Sequence, residues 1–146
     1  HAAGIAEAKL LVIAIDDKDQ ITELTKYVRH HYPDVHIVAR AMDRDHVYDL
    51  WHAGCRDIIR ETYDSSLRMG RSAIQGLGYS KDQAERMTEV FAALDRNSML
   101  FGAEHFDPAV PMMQNEAYLN EFAEKRPIWE GQMAERLQTI MAEKKS

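Results

Sequence analysis

The sequence predicts an α/β fold, specifically the C-terminal half of a doubly wound parallel sheet that is followed by a helical extension. Three apolar segments, at residues 10–15, 35–39 and 56–59, alternate with helical patterns. The strand-helix unit repeats about every 20 to 25 residues, which is typical of parallel strands joined by right-handed crossovers. The first segment, LLVIAI, is apolar throughout instead of alternating, and this predicts a strand that helices cover on both faces.

The polar residues between the apolar segments predict two helices with defined starts. Asp16 or Asp17 is expected to cap the first helix, at residues 19–31. Asp43 or Asp45 is expected to cap the second helix, which is shorter and ends at a glycine. The segment before the first strand, AAGIAEA, is interpreted as the end of an earlier helix.

Three parallel strands form an incomplete sheet, because one apolar edge has no partner. A doubly wound nucleotide-binding sheet has two three-stranded halves in the order 3-2-1-4-5-6, and its phosphate-binding glycine loop belongs to the first half. No G-x-G-x-x-G follows any predicted strand here. We therefore interpret the segment 10–15 as the fourth strand of a Rossmann-like sheet, and we expect the missing half to precede His1 in a longer protein.

The remainder of the chain predicts helices only. A helix begins at Thr62 or Asp64 and turns Leu67, Ala73 and Ile74 inward. A capping box of the S-x-x-Q type starts a long second helix, and a loop around residues 107–111 separates it from a last, strongly charged helix that extends to Lys145. That last helix has a narrow apolar seam, so it is expected to pack on a partner. The seam consists of Met133, Leu137, Ile140 and Met141.

Composition excludes several classes of function. The formal net charge of -6 opposes binding to a nucleic-acid backbone. The single cysteine, Cys55, is compatible with a reducing compartment and is expected to be structural. Seven histidines are present, but neither the pair His30 and His31 nor the pair His46 and His52 has chelating spacing, so no metal site is expected.

The candidate binding residues follow the predicted strands. Asp16 and Asp17 end the first strand next to the topological switch point, where open α/β sheets bind ligands. Arg40 and Arg60 follow the second and third strands and share the same rim, where a guanidinium offers a planar fork to carboxylate or phosphate. The structural alternatives are helix capping by the aspartates and pairing of Arg60 with Glu61.

These segments together resemble the KTN or RCK regulatory domains of the Kef-type, glutathione-gated potassium efflux systems. The resemblance covers residues 2–100, and it depends on the order and spacing of short motifs. These are AAG, AIDD, PDVHIVAR with the following Asp43 and His46, HAG, RET, LRMGR, LGYS and VFAALD.

The resemblance implies a cytoplasmic domain of a potassium/proton antiporter, at the inner face of the bacterial inner membrane. Glutathione holds such a transporter shut, and glutathione adducts displace glutathione and open it. The family's effector site lies at a homodimer interface, where an arginine that matches Arg60 meets a polar residue from a long exchanged helix. That residue matches Asp95 here, with Asn97 as a substitute if the alignment slips. The implied partners are the membrane antiporter domain of the same chain and a soluble flavoprotein activator.

The resemblance also sets the expected domain organisation and cofactors. We expect the second half of a Rossmann-like KTN domain at residues 1–62, a helical dimerisation and effector-binding region at 63–106, and a C-terminal helical tail at 107–146. Glutathione or an adduct is the expected effector, and NAD(H) or AMP is a possible ligand of the complete domain. Asp16, Asp17 and Arg40 would form the nucleotide rim.

Three other functions remain open at this stage. A two-component receiver domain would share the IDD motif, but it needs a phospho-acceptor aspartate after its third strand and a lysine after its fifth. Half of a nicotinamide-dependent oxidoreductase is the enzymatic alternative, although no catalytic acid, base or activated nucleophile is placed by the sequence. A scaffold that dimerises through its last helix is the third. The sequence therefore favours a regulatory domain that is not an enzyme.

Overall fold

The computed structural model describes residues 4–143, apart from the side chain of Ala6. These residues form two compact units, one that ends at Glu61 and one that begins at Thr62. Each unit is described by itself below.

The first unit is a three-stranded parallel sheet with two helices, in the order β1, α1, β2, α2, β3. The sheet order β1-β2-β3 follows the chain, and both neighbouring pairs are parallel. This confirms the predicted α/β class and the strand-helix repeat. The elements are β1 Leu10–Ile13, α1 Lys18–His31, β2 His36–Arg40, α2 Arg44–His52 and β3 Asp57–Ile59.

The prediction that the first strand is buried on both faces is wrong. Leu10 and Val12 are 53% and 59% exposed, whereas Ile13 is buried. Right-handed crossovers between sequential neighbours place both helices on the same face of a sheet. The buried side chains of Ile13, Ile37 and Ala39 belong to that covered face, and α1 and α2 leave the opposite face of β1 exposed. The strand is also shorter than predicted, because it ends at Ile13.

Aspartate side chains cap both helices of the first unit, as the sequence predicts. Asp17 accepts a hydrogen bond from the backbone N–H of Gln20 at 3.0 Å, and Asp43 accepts one from His46 at 2.8 Å. A cap of this kind satisfies a backbone donor that the helix leaves free at its first turn. The first cap therefore uses Asp17, which leaves Asp16 outside α1.

The second unit consists of three helices: α3 Glu61–Gly76, whose first residue belongs to the first unit, α4 Lys81–Glu104 and α5 Glu116–Met141. The predicted capping box is present, since Ser80 and Gln83 exchange two hydrogen bonds of 3.0 Å at the start of α4. A short 3-10 turn, Met112–Gln114, precedes α5, and another, Ile5–Glu7, precedes β1. Predictions for Ala2, Ala3 and Lys145 lie outside the described residues; α5 itself ends at Met141.

The apolar seam of α5 packs on α4 of the same chain, so the prediction that this seam needs a partner is wrong. Ile140 forms a buried cluster with Met87 and Val90 of α4, and Met133 and Leu137 pack against it. Helix α5 is charged over most of its surface, and a narrow seam is enough to cover the matching stripe of one neighbouring helix. Met141, the last residue of the predicted seam, is 44% exposed.

The inward face predicted for α3 is only partly covered. Ala73 is exposed, and none of the helix residues is buried, although Ile74 packs at the edge of the cluster between α4 and α5. Helix α3 therefore presents a half-exposed apolar stripe within the second unit.

Candidate functional site

Arg40 is the central cation at the carboxyl edge of the sheet. Its guanidinium donates to the carbonyl oxygen of Ile15 at 3.2 Å and pairs with the carboxylate of Asp16. Its other terminal nitrogen lies 3.6 Å from the carboxylate of Glu61. Asp16 is 91% exposed on its side chain, so it remains open to a ligand while it holds Arg40. The predicted rim therefore brings Asp16 and Arg40 together. Glu61, which the sequence suggests only as an alternative partner of Arg60, is a third member of this group.

Asp17 has a different role from Asp16, because its carboxylate is used at the start of α1. The next residue, Lys18, forms an ion pair of 3.2 Å with Asp43, which caps α2. The starts of α1 and α2 are thus connected by one charged contact. Both helix starts carry an aspartate cap, and a capping carboxylate takes the place that a phosphate would occupy at a helix N-terminus.

His46 lies in the first turn of α2 and is fully buried. Its Nδ1 atom accepts a hydrogen bond of 2.9 Å from the backbone N–H of Met42, so in the neutral ring the proton is on Nε2. Nε2 then donates to the hydroxyl of Thr22 at 2.9 Å, and that hydroxyl donates to the carbonyl oxygen of Lys18 at 3.1 Å. Burial, followed by the positive charge of Lys18, lowers the pKa of His46. The histidine is therefore neutral in a complete hydrogen-bond chain between α1 and α2.

Arg60 lies between the end of β3 and the start of α3, and it is half-buried. It follows Ile59, whose carbonyl oxygen accepts a hydrogen bond of 3.0 Å from the backbone N–H of Ala41. This places Arg60 at the carboxyl edge of the first unit, as expected from its position after a parallel strand. The other two predicted effector residues, Asp95 and Asn97, both lie on α4 in the second unit.

On α4, Asp95 is half-buried and Asn97 is exposed. Asn97 lines two adjoining grooves between α4 and α5, with volumes of about 330 and about 520 Å³, and Trp129 of α5 lines both as well. Each groove also has one cation from α5 on its wall, Arg136 in the smaller and Lys125 in the larger. Carboxylates also line both grooves, so each groove combines an amide, an indole and charges of both signs, which suit a polar ligand that has an apolar part. These carboxylates are Glu135 in the smaller groove and Glu104 and Glu121 in the larger.

A third groove in the second unit is almost entirely apolar. It has a volume of about 410 Å³ and lies along the half-exposed stripe of α3. Phe91 is 48% exposed at this groove. A groove of this size without charged side chains favours contact with another apolar surface. Its apolar lining residues are Tyr63, Leu67, Ile74, Met87, Phe91 and Leu137.

Cys55 is buried and has no opening to solvent. Its thiol donates weakly to the carbonyl oxygens of Ile37 and Asp57, at 3.4 and 3.5 Å. Burial raises the pKa of the Cys55 thiol, so the nucleophilic thiolate is disfavoured. Across residues 4–143, no three His, Cys, Asp or Glu side chains form a group that could hold a metal ion. Within the same range, no helix combines the length and hydropathy that a membrane span requires.

Two family models match the chain and divide it at nearly the same place as the two units. The TrkA-N domain matches residues 1–61, and the potassium efflux system KefB C-terminal domain matches residues 65–145. The chain belongs to the KefB C-terminal domain family. This result confirms the resemblance to the KTN or RCK domain of a Kef-type system that the motifs indicated.

Curated relatives and a solved structure agree with the assignment to the Kef family. The glutathione-regulated potassium-efflux system protein KefC of Cronobacter sakazakii is 41% identical over 91 residues, which are 62% of this chain and 15% of that protein. KefC of Escherichia coli is 40% identical over the same shares of both chains. The chain thus spans about one seventh of the length of these relatives.

The solved structure is described as the Shewanella denitrificans Kef CTD in AMP bound form. It is 40% identical, with a TM-score of 0.68 over 73% of this chain and 67% of that one. This likeness agrees with the Rossmann-like class that the sequence predicts for the Kef-type domain.

Sequence reasoning missed the roles of two buried polar residues in this Kef-type domain. The sequence singles out His46 as an unsuitable metal ligand and as part of a family motif, but it does not predict that His46 closes a hydrogen-bond chain between two helices. Gln83 was recognised in the capping box, but its second contact with α5 was not predicted. The spacing of Asp43 and His46, three residues apart at a helix start, is the signal that would have placed His46 at a cap.

Proposed function

We propose that this chain is part of the ligand-sensing regulatory domain of a potassium efflux system, which binds glutathione in the closed state and glutathione adducts in the open state. The observation that carries the proposal is the match of residues 65–145 to the KefB C-terminal domain. The relatives named glutathione-regulated KefC support the choice of ligand. The domain acts by binding rather than by catalysis, since its relatives belong to a transport system.

In this proposal, Arg60 binds a carboxylate of glutathione. The tripeptide carries two carboxylates and one ammonium group, and a guanidinium forms charge-assisted, planar bonds to a carboxylate. Asp95 accepts a hydrogen bond from the ammonium or from an amide N–H, and Asn97 is the alternative on the same helix. The assignment is supported by the half-buried position of Arg60 after β3 and by the placement of both polar residues on the long helix α4.

The effector site is completed by a second copy of the chain. The apolar groove beside α3 supports this homodimer, because its half-exposed stripe is unusual for a helix of an isolated unit. A ligand at a shared interface acts as a switch if a bulky sulfur substituent fits one dimer arrangement better than the other. Couplings of this kind are typically ~1 to 3 kcal/mol.

The carboxyl edge of the sheet serves as one wall of a nucleotide site in the complete domain. The AMP-bound Kef neighbour supports a nucleotide as a ligand. Among the residues present, the exposed carboxylate of Asp16 suits ribose hydroxyl groups, whereas the charge of Arg40 is already shared by two carboxylates. Asp17 and Asp43 occupy both helix starts, so this half fits the sugar better than the phosphate.

The proposed partner is the membrane antiporter domain of the full-length protein, and the chain works at the cytoplasmic face of the bacterial inner membrane. The alignment with KefC supports this setting, because the matched region makes up only 15% of that longer protein. A soluble flavoprotein activator is a further proposed partner.

Calorimetry with glutathione and the intact domain tests the effector site. Arg60→Ala is expected to weaken binding by at least about fivefold, since a hydrogen bond to a charged group contributes ~1 kcal/mol or more. Arg126→Ala is the matched control, because this exposed arginine of α5 pairs with Glu130 of the same helix, and it should leave the affinity unchanged. Equal affinities of Arg60→Ala and the parent would remove Arg60 from the site. A monomeric mass at high concentration, with and without glutathione, would contradict the shared interface.

A further inference from the structure

We propose that His46 is an acid-sensitive latch, which holds the start of α2 against α1 when its ring is neutral and releases it when the ring takes up a second proton. The latch is built into the first unit and needs no ligand. It acts on the segment that joins β2 to α2, at the carboxyl edge of the sheet.

The neutral ring satisfies every polar neighbour that it contacts. The Met42 N–H donates to Nδ1, and Nε2 donates to the Thr22 hydroxyl. That hydroxyl in turn donates to the carbonyl oxygen of Lys18. The backbone N–H of His46 donates a hydrogen bond to the carboxylate of Asp43. The ring is fully buried, so water cannot reach its two nitrogen atoms while the contact is closed. Such a closed arrangement fixes both the tautomer and the ring orientation.

A second proton can bind only at Nδ1, where the Met42 N–H already points. Two donors would then face each other, and the hydrogen bond between Met42 and the ring is lost. The charged ring would also be buried beside the ammonium group of Lys18, which opposes it, while Asp43 and Asp49 of α2 favour it. Burial and Lys18 prevail and lower the pKa of His46. Protonation is therefore coupled to opening of the contact.

The sign of the pH dependence follows from this lowered pKa. In the opened segment, the ring titrates near the ordinary value of a histidine, so the closed form is fully favoured above that value. As the pH falls from there towards the lowered pKa of the closed form, the open form gains relative to the closed form by up to about tenfold per pH unit for one proton. Below the lowered pKa, the ratio of the open to the closed form no longer changes with pH.

Opening of the latch affects the edge that carries Arg40. Met42 lies two residues after Arg40 and directly before Asp43, which both caps α2 and binds Lys18. Loss of the Met42 contact therefore frees the segment between the arginine and the cap. If this edge holds a nucleotide, as proposed above, acid should also weaken that binding, but this last step alone depends on the proposed function.

Nitrogen-detected NMR of the histidine rings, together with amide hydrogen exchange, tests the latch in the ligand-free protein. We expect the His46 ring to carry its proton on Nε2 at neutral pH. We also expect the protection factor of the Met42 amide to fall by up to about tenfold per pH unit through the window defined above. A ring with its proton on Nδ1 at neutral pH would overturn the proposal.

Two variants separate the latch from general acid effects. His46→Gln keeps one acceptor and one donor without a titrating group, so the protection factor of Met42 should become independent of pH. His30→Gln is the control, since His30 is exposed on α1, and it should respond like the parent. The latch would be refuted if the protection factor of Met42 depended on pH in His46→Gln as strongly as in the parent. If His46→Gln does not fold, the tautomer and titration of His46 in the parent still decide the question.

Discussion

Replacement of Gln83 by alanine should strongly destabilise the helical unit. Its amide nitrogen donates to the carbonyl oxygens of Ile140 and Glu143 near the end of α5, at 3.1 and 3.3 Å. Its amide oxygen accepts from the backbone N–H of Ser80 at 3.0 Å. Gln83 is 2% exposed. One side chain thus provides hydrogen-bond partners for backbone groups at the start of α4 and near the end of α5 at the same time.

The magnitude follows from these three hydrogen bonds. Each contributes a net ~1 kcal/mol, and a buried group left without a partner costs ~1 to 3 kcal/mol. Water will reach some of the released groups at the helix ends, so we expect Gln83→Ala to lower the free energy of unfolding by about 3 kcal/mol. The matched control is Gln75→Ala on α3, an exposed glutamine, which should change the free energy by less than about 0.5 kcal/mol.

The chain supplies its own fluorescent reporter for this measurement. It has two tryptophans, Trp51 in the first unit and Trp129 in the second, where Trp129 packs against the rings of Phe101 and Phe122. In a Trp51→Phe background, urea unfolding followed by Trp129 fluorescence reports on the helical unit alone. If Gln83→Ala and the control gave the same midpoint, the assignment of the α4–α5 contact to Gln83 would be refuted.

Three further predictions concern the first unit. Cys55 should react with a thiol reagent at least about 100-fold more slowly in the folded chain than in urea, because it is buried with a raised pKa; rapid modification of the folded protein would contradict this. Gly54→Ala should cost about 2 kcal/mol in urea unfolding, since Gly54 has φ +101° and an added Cβ would lie 2.7 Å from Cγ of Arg29. In an Arg29→Ala background, the same Gly54→Ala substitution should cost less, because the close approach to Cγ of Arg29 is removed and only the backbone strain remains. An unchanged cost in that background would show that the backbone strain alone is responsible. Asp17→Ala should cost about 1 kcal/mol through loss of the α1 cap, and Asp19→Ala, at the second residue of the helix, should cost less.

The sequence was sufficient for the local elements because their signals are local. The capping box at Ser80 and the aspartate caps each depend on residues three apart, and the strand-helix repeat depends on neighbouring segments. Exposure of Leu10 and Val12 was not predictable in the same way. It depends on which face of the sheet the helices cover, and apolar composition alone does not carry that information.

The candidate site shows the same division between local and non-local information. The position of Arg40 at the end of an apolar segment predicts its place at the carboxyl edge, but not its partners Asp16 and Glu61, which come from other segments. The role of His46 was hidden because its partners lie on two different elements, at Thr22 and Met42. A histidine in isolation fits a metal site, a surface or a core equally well, and only the assembled contacts distinguish them.

The contact of Gln83 with α5 has a mechanical consequence. Helices α4 and α5 are joined at one end by the segment between Glu104 and Glu116, and Gln83 together with the ion pair of Arg86 and Glu143 fastens them at the other. Because an α-helix rises 1.5 Å per residue, the stretch of α4 from Gln83 to Glu104 separates the two connections by about 32 Å. Two helices that are connected at both ends resist separation, and α5 keeps one place where it can bend, at Pro127, which lacks a backbone donor. A displacement of the Ser80 end of α4 is therefore expected to carry the end of α5 with it.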